Sequence, residues 1–553
     1  MKKILIFAIG FGLSSSFAQQ QEWQWVKSEG TNVANDISYS VTTDATGNSY
    51  ITGYTSAQTL NIGSFTLNGS GVFLAKYSPQ GSVIWAKIAN GAASGTTNNT
   101  VACDQSGHVF ISGNYTGLLV FNTLLLYSYT GSNELDFFLA KYDTSGNLFW
   151  AKSFGGSLDD NSNSIASDSD GNIYLAGSYE STSIDFGTGV ILWSNNPGTY
   201  DVFVTKFDKF GNALWTITHG GILTDKATTI SIDLSGNIFM AGSFKSTSIF
   251  GTTNILNNHF IGTSDIFLAK IDSAGILQWT TSAGSLSDDE ATCMSTDLQG
   301  NIYLGGYFSG QNISFGSSFL SLNVNTTSTS FIAKFNSGGV SEWAKCGAGN
   351  AMNKATSICT DITGNAYLTG TYFNQYLIFE SDTLFCTNNF SDIFLVKYNA
   401  IGDKIWVRGV KGQWDDYPAS ICYSPLGSIM LTGYFKGTSL FFESDTLKNS
   451  GNGNFDFFIA SLDITTGITR SQKRTEFNLY PNPFHTYANL EFDDELKNLS
   501  VLLYTSLGQL IRKIDLSNSA KIIDKGLLPS GVYFLQLINE RVVLSTKKII
   551  ITD

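Results

Sequence analysis

The chain reads as a succession of short apolar runs in period-two alternation, separated by turns rich in glycine, asparagine and aspartate, and this pattern predicts strand after strand. The stretch from Ala355 to Val407 displays one unit. Ser357-Ile358-Cys359 is a short apolar strand, followed by the turn Asp361-Ile362-Thr363-Gly364-Asn365. Ala366 to Gly370 alternates as a second strand, and a long loop carrying Phe379 leads to a third, Asp392 to Tyr398. A tight turn through Gly402 returns the chain into a fourth at Lys404 to Val407, glycine supplying the positive φ that short hairpins need.

The unit repeats. Trp25, Trp85, Trp150, Trp215, Trp279, Trp343 and Trp406 recur at intervals of 60 to 65 residues, the mark of one supersecondary unit copied along the chain. Six of these seven follow a turn glycine by four residues: Gly81, Gly146, Gly211, Gly275, Gly339 and Gly402. Trp25 has only Gln21 in that place, whereas the last copy of the turn, Asp463 to Gly467, has its glycine but Ser471 instead of tryptophan. The first and last copies are therefore two halves of one hairpin, and complementary halves predict a closed ring. The expectation is an all-β fold, a seven-bladed β-propeller of four-stranded blades whose final blade takes its outer strand from Trp23 to Lys27. A linear solenoid would want capping repeats instead.

Composition sets the compartment and removes some function classes. Met1-Lys2-Lys3, an apolar run from Ile4 to Leu13 and Ser16-Phe17-Ala18 before Gln19 describe a cleavable signal peptide over residues 1–18, and the run is too short for a membrane anchor. No transmembrane segment is expected after its removal. A net charge of −13 and a pI near 4.8 leave no basic stripe for nucleic acid. The six cysteines do not form a disulfide pattern: Cys359 and Cys422 share a repeat position, and Cys103 and Cys293 lie within two residues of it, as small inner-strand side chains would. Cys346 and Cys386 stay open to one bridge, with each other or with Cys359.

The Gly-Gly-x-x-x-Asp loop, the Asp-x-x-Gly-Asn-x-Tyr turn and the Gly-Ser-Tyr that follows, as in Gly155 to Asp160 and Asp168 to Tyr179, resemble the SBBP-type β-propeller repeats of secreted bacterial proteins. The propeller is placed at residues 19–467; the likeness covers roughly residues 20 to 467 and implies a fold rather than an activity. Residues 468–476 form a polar, basic linker. Short alternating strands in 477–553 then suggest a small Ig-like β-sandwich. Tyr480-Pro481-Asn482-Pro483-Phe484, Leu507-Gly508-Gln509, Leu528-Pro529-Ser530-Gly531-Val532-Tyr533-Phe534 and Lys547-Lys548-Ile549-Ile550 resemble the type A sorting domain of type IX secretion cargo. That resemblance implies recognition by the type IX machinery through residues 477–553, passage across the outer membrane, removal of the domain, and release or attachment at the cell surface.

Catalytic patterns are scarce. The four histidines (His108, His219, His259, His485) lack metal-ligand spacing and read as surface or loop residues, and there is no nucleophile elbow or phosphate loop. One constellation recurs: Asp36, Asp160, Asp225, Asp289 and Asp416 share a repeat position, with Asn353 and Thr96 in the other two copies. The loop that holds them should reach the face where the central funnel opens, so exposed carboxylates would ring the axis. They either cap their own loops or hold Ca²⁺, with Asp160, Asp289 and Asp416 as first candidates; no other cofactor is expected. The variable loops between second and third strands, such as Leu124 to Tyr127 and Ile191 to Trp193, serve recognition or pack the rim. The function expected is a non-enzymatic binding or adhesion scaffold for an extracellular glycan or protein. The alternative is a polysaccharide hydrolase or lyase with an acidic funnel.

Overall fold

A computed structural model describes residues 22–552 apart from 92–98, 130–133, 195, 251–252, 256–261, 322–327, 351, 374, 387–388, 452, 465–477, 492–498, 506–509, 517–521, 527 and 540–541. The expected signal peptide and linker, together with Thr96, Gly467, Ser471 and Leu507-Gly508-Gln509, lie outside the described residues.

The recurring turn is held by its own side chains. Asp44 accepts hydrogen bonds from the Thr46 and Asn48 amides at 2.9 and 3.0 Å and from the Asn48 side chain at 2.8 Å, while Gly47 takes φ +81°. The Tyr50 hydroxyl donates to the same carboxylate at 3.0 Å, which explains why tyrosine follows this turn so often. Asp168 and Asp361 repeat these bonds. In one copy His108 replaces the asparagine and places its Nδ1 2.9 Å from Asp104, so this histidine is a turn residue as expected.

Among the described residues the repeats build seven four-stranded antiparallel sheets, three of which carry an added outer hairpin. The sixth runs Met352–Thr360, Ala366–Phe373, Asp392–Tyr398, Lys404–Gly412 from inside to outside. Its inner and outer strands outrun the apolar pattern, because backbone pairing continues where the side chains have turned polar. The seventh joins Asp416–Ser424, Ser428–Phe435 and Asp456–Asp463 to Trp23–Glu29, with Trp25 opposite Ser461 and Glu29 opposite Phe457. The split hairpin is thus rejoined, and Trp23 packs edge-on against Phe442 with ring centroids 4.9 Å apart. The seven inner strands are Asp36–Thr43, Thr100–Cys103, Asp160–Ser167, Asp225–Ile232, Asp289–Thr296, Met352–Thr360 and Asp416–Ser424. Each packs against the next, and the last against the first.

Contacts between blades account for the sequence signature. Each turn glycine sits under the tryptophan of the preceding blade: a Cβ on Gly146 would lie 2.8 Å from the Trp85 ring, and one on Gly402 2.8 Å from Trp343. The indole N–H groups of Trp25, Trp85 and Trp343 donate to Pro79, Thr144 and Ala400 of those same turns. The recurring third-strand lysine does likewise, Lys76 reaching Thr144 O at 3.3 Å and Lys334 reaching Ala400 O at 3.0 Å, its ammonium over an aromatic ring of its own blade.

The loops between second and third strands are hairpins rather than irregular loops. Leu118–Phe121 with Leu124–Tyr127 extends the outer strand Val83–Gly91 of the preceding blade, and Ser439–Phe442 with Asp445–Lys448 extends Lys404–Gly412 in the same way. Their alternation divides the two roles expected of them: Leu126 and Leu192 are buried, while Leu125, Tyr127, Ile191 and Trp193 face solvent. All six cysteines are free thiols, Cys293 and Cys359 buried on inner strands. His219 departs from expectation, lying in the outer strand Ala213–Gly221 with its ring stacked on Phe250 at 4.9 Å.

The chain divides into two compact units, one spanning Glu22–Ile464 and the other holding 465–553. In the second, a three-stranded sheet (Asn478–Tyr480, Tyr487–Glu491, Ile522–Asp524) and a four-stranded one (Leu510–Asp515, Leu499–Thr505, Gly531–Asn539, Val542–Ile551) enclose a core of Phe484, Leu490, Val501, Leu503, Leu535 and Ile549.

Candidate functional site

The recurrent aspartates begin the inner strands, yet their carboxylates are not exposed around the axis: Asp36, Asp160, Asp225, Asp289 and Asp416 are all fully buried. The loop bearing them folds back into the seam between blades. The Asp160 amide donates to Leu135 O at 2.7 Å and the Asp416 amide to Ser391 O at 2.8 Å, so each loop is tied to the blade before it. Asp160 accepts from Ser181 Oγ at 2.8 Å and Asp289 from Ser285 Oγ at 2.9 Å. Glycine precedes the aspartate because no Cβ fits there: one on Gly155 or Gly220 would lie 1.9 Å from the carboxylate of Asp136 or Asp201, another buried aspartate beginning a third strand. Burial foremost, with neighbouring aspartates adding to it at Asp160, Asp289 and Asp416, pushes the Asp160, Asp225 and Asp289 carboxyls up to about 7 and Asp416 to about 9. Asp160, Asp289 and Asp416 sit in three different seams and are not brought together. Among the described residues no group of three His, Cys, Asp or Glu side chains is arranged to hold a metal ion.

What the inner strands do build is a central channel of about 820 Å³ lined from all seven blades. Six inner strands carry a β-bulge at one level, for instance between Ser38 and Ser40, Ser162 and Ser164, and Pro418 and Ser420. The extra residue turns its side chain across the seam: Asn163 donates to Ala227 O at 2.7 Å, Thr228 to Ala291 O at 2.6 Å and Thr292 to Ala355 O at 2.8 Å. The bulges therefore knit neighbouring blades around the channel.

The channel wall mixes polar and aromatic groups, with Tyr200 of blade three among the aromatic ones. Blades three to five contribute polar groups, among them Asn161, Asn163, Thr228, Thr292, Lys226 and Glu290. Glu290 is the one carboxylate in the described lining. Blades seven and one contribute Tyr39, Pro418 and Tyr434. Outward from Tyr434 the aromatic surface continues, with Tyr417 at 5.2 Å and Phe455 at 5.2 Å between ring centroids, and the half-exposed Trp414 stacked on Phe390 at 5.4 Å. Lys436 lies over the Trp414 and Phe455 rings. Sequence reasoning passed over this cluster. Its signal was a departure from the repeat: Trp414 stands two residues before Asp416, where the other blades have Leu158, Leu223 and Ser287.

In the C-terminal unit the sorting residues clasp the last strand. Asn482 accepts from the Ile550 amide at 2.8 Å and donates to Lys548 O at 3.1 Å, and the Phe484 amide donates to Ile550 O at 3.1 Å beside its fully buried ring. Pro481 and Pro483 both follow cis peptide bonds, and the Tyr533 hydroxyl donates to Pro529 O at 2.8 Å. Gly531 opens the strand that carries Tyr533, whereas Tyr480 is half exposed.

These features define a β-propeller protein equipped for export. Residues 150–178 match the family model described as a beta-propeller repeat, and residues 478–552 match that of the secretion system C-terminal sorting domain. The chain carries a type IX sorting domain and is secreted by that system to the extracellular space or cell surface. It is 26% identical over 325 residues to an uncharacterized WD repeat-containing protein of Acanthamoeba polyphaga mimivirus, covering 49% of this chain and 23% of the relative. It is 35% identical over 113 residues to the regulatory protein FlaEY of Caulobacter vibrioides, covering 20% of this chain and 12% of the relative. The chain thus spans less than a quarter of the length of either. Among solved structures, the WD40 domain of Neurospora crassa Pan2 is 9% identical with a TM-score of 0.35, covering 78% of this chain and 90% of that one. Among the described residues no helix is long and apolar enough to cross a membrane.

Proposed function

We propose that this secreted propeller is a non-enzymatic binding scaffold that takes an extracellular glycan or protein at the mouth of its central channel. The observation that carries the reading is the chemistry of the channel wall: hydroxyl and amide groups, aromatic faces and Glu290 as its carboxylate. Ligand sites combine apolar surface with a few placed polar groups in this way. A glycosidase requires two carboxyl groups about 5 to 10 Å apart, and the recurrent aspartates that might have supplied them are buried in the seams. The test is a glycan and protein array run with the purified full chain, beside reducing-end and unsaturated-product assays on polysaccharides. Retention of a ligand without turnover is the outcome expected. Turnover would replace this reading with the hydrolase or lyase alternative, and the absence of any ligand on either array would remove it.

A further inference from the structure

We infer that the aromatic surface of the seventh blade, from Trp414 to Tyr434 at the channel mouth, is a stacking site for a neutral oligosaccharide, with polar groups of the channel wall supplying its hydrogen bonds. This rests on the binding reading above and gives it a place and a ligand class.

The first argument is asymmetry. In a repeat protein, what closes the ring recurs, as the tryptophan does in all seven copies and the aspartate and lysine do in most. Residues present in one copy alone have another reason to be there. Trp414 replaces the leucine, serine or alanine of other loops, and Tyr417 follows Asp416 where Ile37, Asn161, Lys226, Glu290 and Lys354 follow the corresponding residues. Tyr39 occupies a bulge position held elsewhere by Asn163, Thr228, Thr292 and Thr356. Tyr417 joins Tyr434 and Phe455 in one aromatic surface on blade seven, Tyr39 of blade one lines the channel with Tyr434, and Trp414, stacked on Phe390 of blade six, borders the surface through Lys436.

The second argument is chemistry. The indole of Trp414 is 48% exposed although it stacks on Phe390, so a large apolar face is held rigid and open to solvent. Sugar rings present C–H groups on their faces and hydroxyls on their edges. Tyr39 and Tyr434 line the same channel as Asn161, Lys226 and Glu290, so aromatic faces and polar groups are both present at its mouth. The third argument is charge. The lining holds Lys226 and Glu290, one of each sign, and the chain as a whole carries −13, which disfavours uronate or sulfated polymers. A volume of about 820 Å³ admits a few sugar units at the mouth rather than a folded partner.

The experiment uses the full chain on an immobilised panel of neutral hexose and pentose oligosaccharides, with uronic acid oligomers, sulfated oligomers and peptides as further arms. The best neutral binder is then titrated by tryptophan fluorescence. Trp414→Ala and Tyr417→Ala should each weaken it about tenfold or more, the loss of one good stacking contact. Trp193→Ala, which removes a more exposed tryptophan from an outer hairpin, should leave affinity unchanged. Near-ultraviolet circular dichroism checks that the variants stay folded. The inference is overturned if no neutral saccharide binds, if only uronates or sulfated chains bind, or if the neutral binder is indifferent to both Trp414→Ala and Tyr417→Ala. Binding confined to peptides also overturns it while leaving the scaffold reading in place, whereas saccharide turnover removes the scaffold reading itself.

Discussion

Single residues in this chain are chosen by the blade next door. Gly146 must be glycine twice over, since its φ is +80° and a Cβ would press into Trp85 of the preceding blade. Gly117 has a similar φ of +71° with nothing within 4 Å, so the two positions separate backbone strain from crowding. Gly117→Ala is expected to cost about 1 kcal/mol, for the left-handed backbone alone. Gly146→Ala should cost roughly 2 kcal/mol or more, because overpacking adds to the same strain. Chemical denaturation of the two variants checks this, and equal costs would mean the tryptophan moves aside freely. The Gly-to-Trp spacing was plain in the sequence, but its reason was not: the glycine serves the tryptophan of the blade before, about sixty residues earlier, and not the one that follows it by four.

Among the elements, the strand Trp23–Glu29 carries the most weight relative to its length. It covers the edge of Asp456–Asp463, which would otherwise present unpaired backbone groups over a fully buried Phe457 and Phe458. A chain lacking residues 22–29 is expected to lose cooperative melting and to form high-mass species. A peptide of that sequence added in trans should restore part of the monomer, by the strand addition that open sheet edges favour. Calorimetry and light scattering distinguish this from a chain that melts as before. The same edge logic explains the hairpins that the sequence reading left as loops. Their strands are three or four residues long, so their alternation is too brief to stand out, and three of the hairpins also pair with a neighbour's outer edge.

For the whole molecule, the buried carboxyls set a pH dependence. Burial first of all pushes Asp36 and Asp136 up to about 6, and Asp160, Asp201, Asp225 and Asp289 to about 7. A carboxyl raised in the folded state contributes stability that is complete below its unfolded pKa of about 4 and is lost as pH climbs through the folded values. His219 opposes this: burial lowers it to about 4, so it favours the folded state above its unfolded pKa. The turn aspartates Asp44 and Asp361 are also raised by burial, but the bonds they accept outweigh it and hold them low, so their contribution disappears only in stronger acid. With Asp416, raised to about 9, seven aspartates against one histidine make melting at about pH 5 higher than at about pH 8. Asp201→Asn should narrow the difference by stabilising the protein at the alkaline end. Scanning calorimetry at both pH values tests it, and a melting temperature that rises with pH would contradict the assignment.

The sequence by itself determined the ring and the export tail. Periodicity, complementary half-units and local turn chemistry are all carried by neighbouring residues or by regular spacing, and a regular spacing reports whatever recurs. Tertiary structure alone decided where the recurrent aspartates point and where the channel turns aromatic. An inner-strand residue faces the seam or the channel according to the bulge and the loop packed beside it, and neither is written in the spacing. Tyr39 and Tyr434 line one channel only because the ring closes, so this departure from the repeat came into view when residues from both ends of the propeller lay side by side.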